Sequence, residues 1–348
     1  MTNQKRLISN SIEVPGALEA IETYFENRWS DGLPVVPPTP EAVSAALEAA
    51  NLSPDAILGI EPVKGAVITA EKAAINAVMA GCKPEYMRIV AAAVDAITAP
   101  EFNLHGITVS TMGAAILLVI NGPLANELEI NSGVSAFGPG HRANATIGRA
   151  IRLIVMNVLG TRSDDGLDKA TLGHPGKYTW CVAENEQALP ENWEPMHVTR
   201  GLGENDSSVT VFSGLSGLQF GDHASNTPEG ILDSFAERIY PLGLGIHEVI
   251  LAICPEHAEY FDKAGWTKQQ IGQYLFDTVR KPESEWVPNG LPSVIKNGGE
   301  GDISSLQSPE SVIPIVIGGD GGAWSAVIPT WSLGSRSKAV TRKIKTNG

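Results

Sequence analysis

Side chains that can move protons or bind anions are concentrated between Asn121 and Glu186. An apolar run at 114–120 ends in Asn121-Gly-Pro, and a polar, glycine-rich segment follows it. Histidine, lysine, cysteine and glutamate residues then occur together at 171–186. A chain that only needs to pack has little use for so many Gly, Asn, His and Arg residues in one region. This concentration indicates where a reaction would take place.

The first candidate is an anion-binding loop in Phe137-Gly-Pro-Gly-His-Arg-Ala-Asn144, followed by a helix predicted from about 144 to 158. Free backbone N–H groups at a helix start, with Arg142 and Asn144 beside Gly138 and Gly140, favour a bound anion. The glycine spacing matches neither the phosphate-binding P-loop nor the dinucleotide fingerprint. A carboxylate or a single phosphate fits better than a nucleotide. The alternative is a tight turn packed against the core. Asn121 is a further candidate for substrate binding.

The second candidate is an acid/base group in Gly173-His-Pro-Gly-Lys177. His174 is the best general acid or base, because histidine titrates near neutral pH. Lys177 could bind an anion or polarise a carbonyl, and Glu184 and Glu186 could orient His174 or act as bases. The alternative for His174 is a hydrogen-bonded loop residue without a catalytic role.

A reactive cysteine is the third candidate, at Cys82 in Ala80-Gly-Cys-Lys-Pro-Glu-Tyr86. A thiol beside a lysine and near a new helix N-terminus could have a lowered pKa. A buried, inert cysteine is the equally weighted alternative. A composite site needs Cys82 and Arg142 to meet His174 and Glu184 in space, which the sequence does not establish.

The composition excludes several classes of protein. The 348 residues carry a net charge of −14, and the 43% hydrophobic content is typical of a globular chain. So acidic a chain is a poor partner for nucleic acid. Three cysteines without a Cys-x-x-Cys pair argue against a disulfide framework and against structural zinc.

The sequence also predicts the location of the protein and its need for cofactors. No signal-peptide core is visible at the start, and the longest apolar run is too short to cross a bilayer, so we expect a cytoplasmic protein without membrane contact. His105, His141 and His174 occur without metal-binding spacing. We therefore predict no cofactor, although the sequence leaves a metal open.

The order of predicted elements indicates an α/β or α+β fold, with mixed sheets and flanking helices. Residues 1–65 are predicted to form N-terminal helices and a proline-rich clasp, and 66–348 the main α/β domain, as one unit or as two lobes at 66–205 and 206–348. Two strand–glycine turn–strand units are predicted, one from 105–111 and 114–120, the other from 311–317 and 323–328 around Gly318-Gly-Asp-Gly-Gly322. These units are either an internal duplication or ordinary hairpins.

Several motifs together resemble a broad bacterial family. They are Trp29-x-Asp-Gly-Leu-Pro-Val-Val-Pro-Pro-Thr, Ala80-Gly-Cys-x-Pro-Glu-Tyr, the 137–149 segment, His174-Pro-Gly-Lys, Cys181-x-Ala-Glu-Asn-Glu and Ser-Arg-x-x-x-Val-Thr-Arg at 335–342. Members of that family are often encoded with small proteins that carry a (seleno)Cys-Gly-Ser-Cys motif, which this chain lacks. The resemblance implies an enzyme, or an enzyme subunit that works beside a thiol or selenol partner protein.

The leading hypothesis is an enzyme for a small anionic organic substrate, using hydrolytic or lyase-type acid/base chemistry. In it the 138–149 segment holds the anion, His174 with Glu184 or Glu186 moves protons, and Cys82 is a nucleophile or nearby thiol. The alternatives are a non-catalytic or half-site subunit of a thiol or selenol partner enzyme, and a small-molecule binding protein. A homo-oligomer is compatible with all three.

Overall fold

The computed structural model describes residues 6–164, 167–286, 301–331 and 337–345. Its α-helices in these ranges are α1 Ala17–Glu26, α2 Pro40–Ala49, α3 Ala70–Ala80, α4 Met87–Thr98, α5 Leu104–Val109, α6 Pro123–Glu127, α7 Arg142–Asn157, α8 Met196–Thr199, α9 Pro228–Ile239, α10 Pro255–Lys263, α11 Lys268–Thr278 and α12 Glu283–Trp286. Its strands are β1 Ile57–Ile60, β2 Val67–Thr69, β3 Ala115–Asn121, β4 Cys181–Ala183, β5 Ser208–Gly214, β6 Leu218–Gly221, β7 Val249–Ile253, β8 Arg280–Pro282, β9 Asp302–Ser304, β10 Val312–Val316, β11 Trp324–Pro329 and β12 Val340–Lys343.

Two four-stranded mixed sheets form the centre of the fold, and they share one pattern of strand directions. The first has the order β12-β5-β3-β4 and the second β10-β7-β11-β6. In each sheet a central strand pairs in parallel with an edge strand, as β3 does with β4 and β7 with β10. The remaining pairings in both sheets are antiparallel. Mixed sheets flanked by helices confirm the predicted fold class.

The two sheets exchange their last strands. β6 follows β5 after three residues but joins the second sheet, and β12 follows β11 in the chain but joins the first. The chain segments that leave β5 and β11 for the other sheet are hydrogen-bonded to each other. The Leu215 N–H donates to the Pro329 carbonyl and the Trp331 N–H donates to the Ser213 carbonyl, both at 2.8 Å. The two sheets therefore arise from a repeated order of strands along the chain: a central strand, a parallel edge strand, an antiparallel strand, and a strand that joins the other sheet.

Alternating side chains place the two sheets face to face, with helices outside them. Leu117 and Val119 of β3 pack with Ile250 and Ala252 of β7 in one buried cluster between the sheets. The intervening Leu118 of β3 belongs instead to the core beneath the N-terminal helices. Since neighbouring side chains of a strand point to opposite faces, both faces of each sheet are covered. This helix–sheet–sheet–helix arrangement explains strands that are apolar throughout.

The two predicted strand–turn–strand units are corrected by the structure. Residues 105–111 are not a strand, because α5 occupies Leu104–Val109. Asn103 starts that helix from a left-handed conformation, and its side chain accepts a hydrogen bond from the Gly106 N–H. Leu104 and Ile107 bury one face at helical spacing. In the second unit, β10 and β11 are not paired, because β7 lies between them.

The proline-rich segment is attached to two helices. The Val36 N–H donates to the Met79 carbonyl of α3, and Arg149 of α7 binds both carboxylate oxygens of Asp31 at 2.7 and 2.9 Å. Thr39 caps α2 through its side chain, with Pro40 at the first helical position. None of the helices within the described ranges is long and apolar enough to span a bilayer.

Candidate functional site

Asn121 and Glu184 meet at the carboxyl ends of the parallel strands β3 and β4. Ile120 pairs in register with Ala183, and the Glu184 N–H donates to the Ile120 carbonyl at 3.1 Å. The next side chain on each strand is therefore placed beside the other. The Asn121 Nδ2 group donates to Glu184 Oε2 at 2.6 Å, although the two residues lie 63 positions apart. Two of the predicted site residues are brought together by this pairing.

Glu186 joins the same amide from the loop after β4. Its Oε1 accepts from Asn121 Nδ2 at 2.9 Å and from the Gly122 N–H at 2.8 Å. Gly122 adopts φ +85°, and a Cβ there would lie 2.2 Å from the Asp206 carbonyl oxygen. Only glycine fits this position, so the backbone donor to Glu186 depends on it.

Glu184 is a buried carboxylate whose oxygens both have partners. Its Oε2 also accepts from the Met196 N–H at 2.7 Å, and its Oε1 lies 3.5 Å from the Lys268 Nζ. Lys268 in turn donates to the Glu194 carbonyl at 2.8 Å. A buried charge needs such compensation, because removing it from water is costly. Lys268 begins α11, and no local sequence pattern relates it to Glu184.

His197 is the second residue of this cluster that sequence reasoning did not identify. It is fully buried, with Nδ1 3.7 Å from Glu186 Oε1 and Nε2 3.4 Å from the Glu204 carbonyl oxygen. Among the described residues, neither His197 Nδ1 nor Asn121 Oδ1 has a hydrogen-bond partner. Buried polar atoms are almost always satisfied, so these two atoms mark free binding capacity beside the carboxylate pair.

Cys82 lies against the start of α7, near Arg142 and Thr146. The Arg142 Nε donates to the Gly81 carbonyl at 3.0 Å. Burial raises the pKa of the Cys82 thiol to about 12, outweighing the hydrogen bond with Thr146 and the charge of Arg142. Of the two alternatives for Cys82, the raised pKa supports the buried, inert cysteine and argues against the reactive thiol. The physical reason is that desolvation exceeds the effects of the neighbouring charge and the helix start.

The predicted anion loop divides into exposed and structural parts. The Gly138 N–H closes a turn on the Ser135 carbonyl at 2.7 Å, and the exposed Gly140 has φ +119°. Asn144 points inward instead, because its side chain bonds the Asn131 N–H, the Asn131 carbonyl and the Cys181 carbonyl. These three bonds give Asn144 a role in anchoring α7 to the edge of β4.

His174 and Lys177 form a third group. The Gly176 N–H donates to His174 Nδ1 at 3.2 Å, so the ring proton is on Nε2, 3.2 Å from the Gly214 carbonyl oxygen. Burial lowers the pKa of His174, which favours the neutral ring. Proton transfer by His174 would require one of these two bonds to break, so that role stays a prediction.

Lys177 is committed to an ion pair. Its Nζ lies 2.8 Å from both carboxylate oxygens of Asp168, which Arg152 also contacts at 3.4 Å. These three residues line a cavity of about 30 Å³. That volume holds only a few water molecules.

The predicted residues thus lie in three groups, around Cys82, Asn121 and His174. No hydrogen bond or ion pair between described side chains joins one group to another. Within the ranges that the structure covers, no group of three or more His, Cys, Asp or Glu side chains could hold a metal ion. No family model matches the chain, and no curated protein matches it either. The resemblance to a bacterial family therefore stays a prediction.

Proposed function

We propose that the protein is an enzyme that acts on a small anionic organic substrate by hydrolytic or lyase-type acid/base chemistry, with Glu186 as the proton acceptor. The observation that carries this proposal is the pair of carboxylates on one buried amide, beside two buried polar atoms that have no hydrogen-bond partner in the described part of the chain. Ligand sites of open α/β sheets commonly lie at the carboxyl ends of parallel strands, where Asn121 and Glu184 are found.

The two carboxylates have different surroundings, which supports different roles. The Glu184 side chain is 0% exposed and is fixed by Asn121, Met196 and Lys268, so it positions the Asn121 amide. The Glu186 side chain is 27% exposed and is the one that a substrate can reach. A general base must lie within hydrogen-bonding distance of the proton that it accepts, and the partly exposed Glu186 is the carboxylate of the pair that a substrate could approach.

Asn121, His197 and Lys268 would supply the other groups that the reaction needs. Asn121 Oδ1 would accept a hydrogen bond from a substrate hydroxyl or from an attacking water. His197 would donate or accept the second proton through Nδ1. Lys268 contacts Glu184 of this cluster and would support an anionic substrate. Glu186 would then take a proton from carbon next to a carboxylate in a lyase reaction, or from water in hydrolysis.

The experiment is proton NMR of the purified chain in D₂O with a panel of 2-hydroxy, 3-hydroxy and N-acyl carboxylic acids. We expect one class of acid to lose a C–H signal by exchange or elimination, or to be hydrolysed. Glu186→Gln should slow that reaction at least about 100-fold, the usual contribution of a general base. Glu191→Gln, at an exposed position, is the matched control and should react at the wild-type rate.

Two outcomes would count against the proposal. Full activity in Glu186→Gln, with a wild-type unfolding transition, would remove Glu186 as the base. A pure wild-type chain that turns over none of these acids until a thiol or selenol partner protein is added would favour the subunit hypothesis instead.

A further inference from the structure

Cys254 occupies the position in the second repeat that Asn121 occupies in the first. The Ile317 N–H donates to the Ile253 carbonyl at 2.9 Å, as the Glu184 N–H does to Ile120. Each bond joins the carboxyl end of a central strand to its parallel edge strand. Cys254 therefore follows β7 at the carboxyl end of the second parallel pair, and it is the N-cap of α10.

Cys254 belongs to a hydrogen-bonded cluster with His257 and Ser325. Its N–H donates to Ser325 Oγ at 3.1 Å, and its position as the N-cap of α10 places His257 three residues further along, in the first turn of that helix. His257 Nδ1 lies 2.8 Å from the same hydroxyl. His257 Nε2 lies 3.1 Å from the Asp222 carbonyl oxygen, which can only accept, so Nε2 carries a proton. Nδ1 is thus the accepting nitrogen of the ring, and it shares the Ser325 hydroxyl with the Cys254 N–H.

The charges of this cluster favour a thiolate–imidazolium pair. Burial would raise the pKa of Cys254, but hydrogen bonds with His257 and Ser325 outweigh it and lower that pKa. Burial likewise opposes the charged form of His257, yet Cys254 and the Asp222 carbonyl raise its pKa. Although burial opposes ionisation of Asp222, hydrogen bonds from Ser225, Ser234 and the Ala224 N–H bring its pKa to about 2. Asp222 therefore stays negative and supports the imidazolium.

A large cleft lies along α10, next to the buried cluster, and its lining includes Pro255, which directly follows Cys254, but none of the three cluster residues. It has a volume of about 560 Å³ and is lined by Pro255, Glu256 and other residues of α10, and by Asp320 of the glycine-rich loop after β10. Cys254 itself is only 3% exposed. It lies directly under Gly318, which has no side chain: a Cβ added to Gly318 would lie 4.0 Å from the Cys254 Cβ. Four carboxylates line the cleft, so a ligand with a cationic group fits it best: Glu256, Glu259, Asp262 and Asp320.

We propose that Cys254 and His257 form a second, nucleophilic site that cleaves small cationic acyl esters through a thioester on Cys254. The thiol proton moves to His257 Nδ1 as the sulfur bonds to the acyl carbon. The bond from that carbon to the leaving oxygen then breaks, and the leaving group takes the proton from the imidazolium. Water next attacks the thioester, which releases the carboxylic acid and restores the Cys254 thiol.

The test uses three 4-nitrophenyl esters as probes: acetate, the cationic 4-(trimethylammonio)butyrate and the anionic succinate monoester. We expect a burst of one nitrophenolate per chain, with the cationic ester fastest and the succinate slowest. Peptide mass spectrometry should place the acyl group on Cys254. Cys254→Ser should abolish the burst, whereas the matched controls Cys82→Ser and Cys181→Ser should keep it.

His257 has its own readout. His257→Gln should slow acylation at least about 100-fold. The pH midpoint of the residual reaction should move upward, because the thiol loses its imidazolium partner. The ionisable groups that bear on this midpoint are Asp222 after β6, His257 and Glu256 on α10, and Asp320 in the loop after β10.

Several results would overturn the proposal. One is a burst that survives in a folded Cys254→Ser variant, and another is an acyl group found on Cys82 or Cys181 only. Acyl mapping on the wild-type chain decides the matter even if the Cys254→Ser variant fails to fold. The proposal is independent of the acid/base function, because the nitrophenolate burst and the mapped acyl group report on Cys254, whereas turnover of the carboxylic acids reports on Glu186.

Discussion

Asn121→Asp is the most discriminating change at the proposed acid/base site. It keeps the shape of the side chain but replaces the amide donor by an oxygen, at a position that is 0% exposed. Both hydrogen bonds to carboxylates, at 2.6 and 2.9 Å, are lost. Hydrogen bonds to charged groups contribute about 1.5–3 kcal/mol each, so this loss alone costs about 3–6 kcal/mol.

Asn121→Ala is the matched control for this loss. It removes the same two bonds but adds no charge, while Glu184 keeps the Met196 N–H and Glu186 keeps the Gly122 N–H. The difference between the two variants therefore isolates the repulsion among three carboxylates. At an effective dielectric constant near 20, two charges about 4 Å apart repel by about 4 kcal/mol.

Protonation of the introduced carboxyl limits that repulsion and makes it depend on pH. Holding a proton at pH 7 on a carboxyl with an ordinary pKa near 3.9 costs about 4 kcal/mol, and at pH 5 about 1.5 kcal/mol. The introduced group has a raised pKa in the folded state, so its folded form is favoured as pH falls. When the pH is lowered from 7 to 5, the free energy of unfolding of Asn121→Asp should therefore rise by about 2.5 kcal/mol relative to that of Asn121→Ala.

Urea unfolding followed by tryptophan fluorescence at both pH values measures this difference. Parallel pH dependences of the two variants would refute the reasoning. That result would mean that Glu184 and Glu186 do not act on residue 121 as a pair of desolvated charges, and the acid/base proposal would lose its electrostatic basis.

Three further predictions concern stability and thiol reactivity. Gly122→Ala should lower the free energy of unfolding by more than about 3 kcal/mol, measured by thermal unfolding, because φ is +85° and the Cβ meets a backbone carbonyl at 2.2 Å. Asp31→Ala should lower the free energy of unfolding in urea by about 3 kcal/mol, because it leaves the largely buried Arg149 without its carboxylate. Asp164→Ala, at an exposed position, is the control and should be as stable as the wild type. Iodoacetamide should modify Cys82 slowly at pH 7. The rate should rise about tenfold per pH unit up to pH 10, because the pKa of the thiol is about 12. Fast modification of native Cys82 at neutral pH would contradict that value.

Much of the local structure follows from residue type and spacing. Thr39-Pro40 starts a helix, and the apolar run before Asn121 forms β3, because capping and side-chain alternation act over a few residues. The same reasoning placed Asn121 and Glu184 among the candidate site residues. It was wrong for 105–111, where Asn103 supplies a helix cap in a left-handed conformation that β-branched residues nearby do not indicate.

Strand order and strand exchange could not be predicted from local patterns. β10 and β11 are separated by a short glycine-rich turn, which predicts a hairpin, yet β7 lies between them. The pairing is decided by which apolar faces can be buried together, and those faces come from residues far apart in the chain. The repeated arrangement of strands becomes visible only when the two sheets are compared strand by strand.

The sequence by itself determined which residue types are available for chemistry and which elements carry them. Only the tertiary structure decided which of them meet: Asn121 with Glu184, and Cys254 with His257 and Ser325. It also decided the opposite pKa shifts of Cys82 and Cys254, both of which lie beside a polar partner. The sign of such a shift depends on whether desolvation or hydrogen bonding is larger, and both are set by packing across the whole chain.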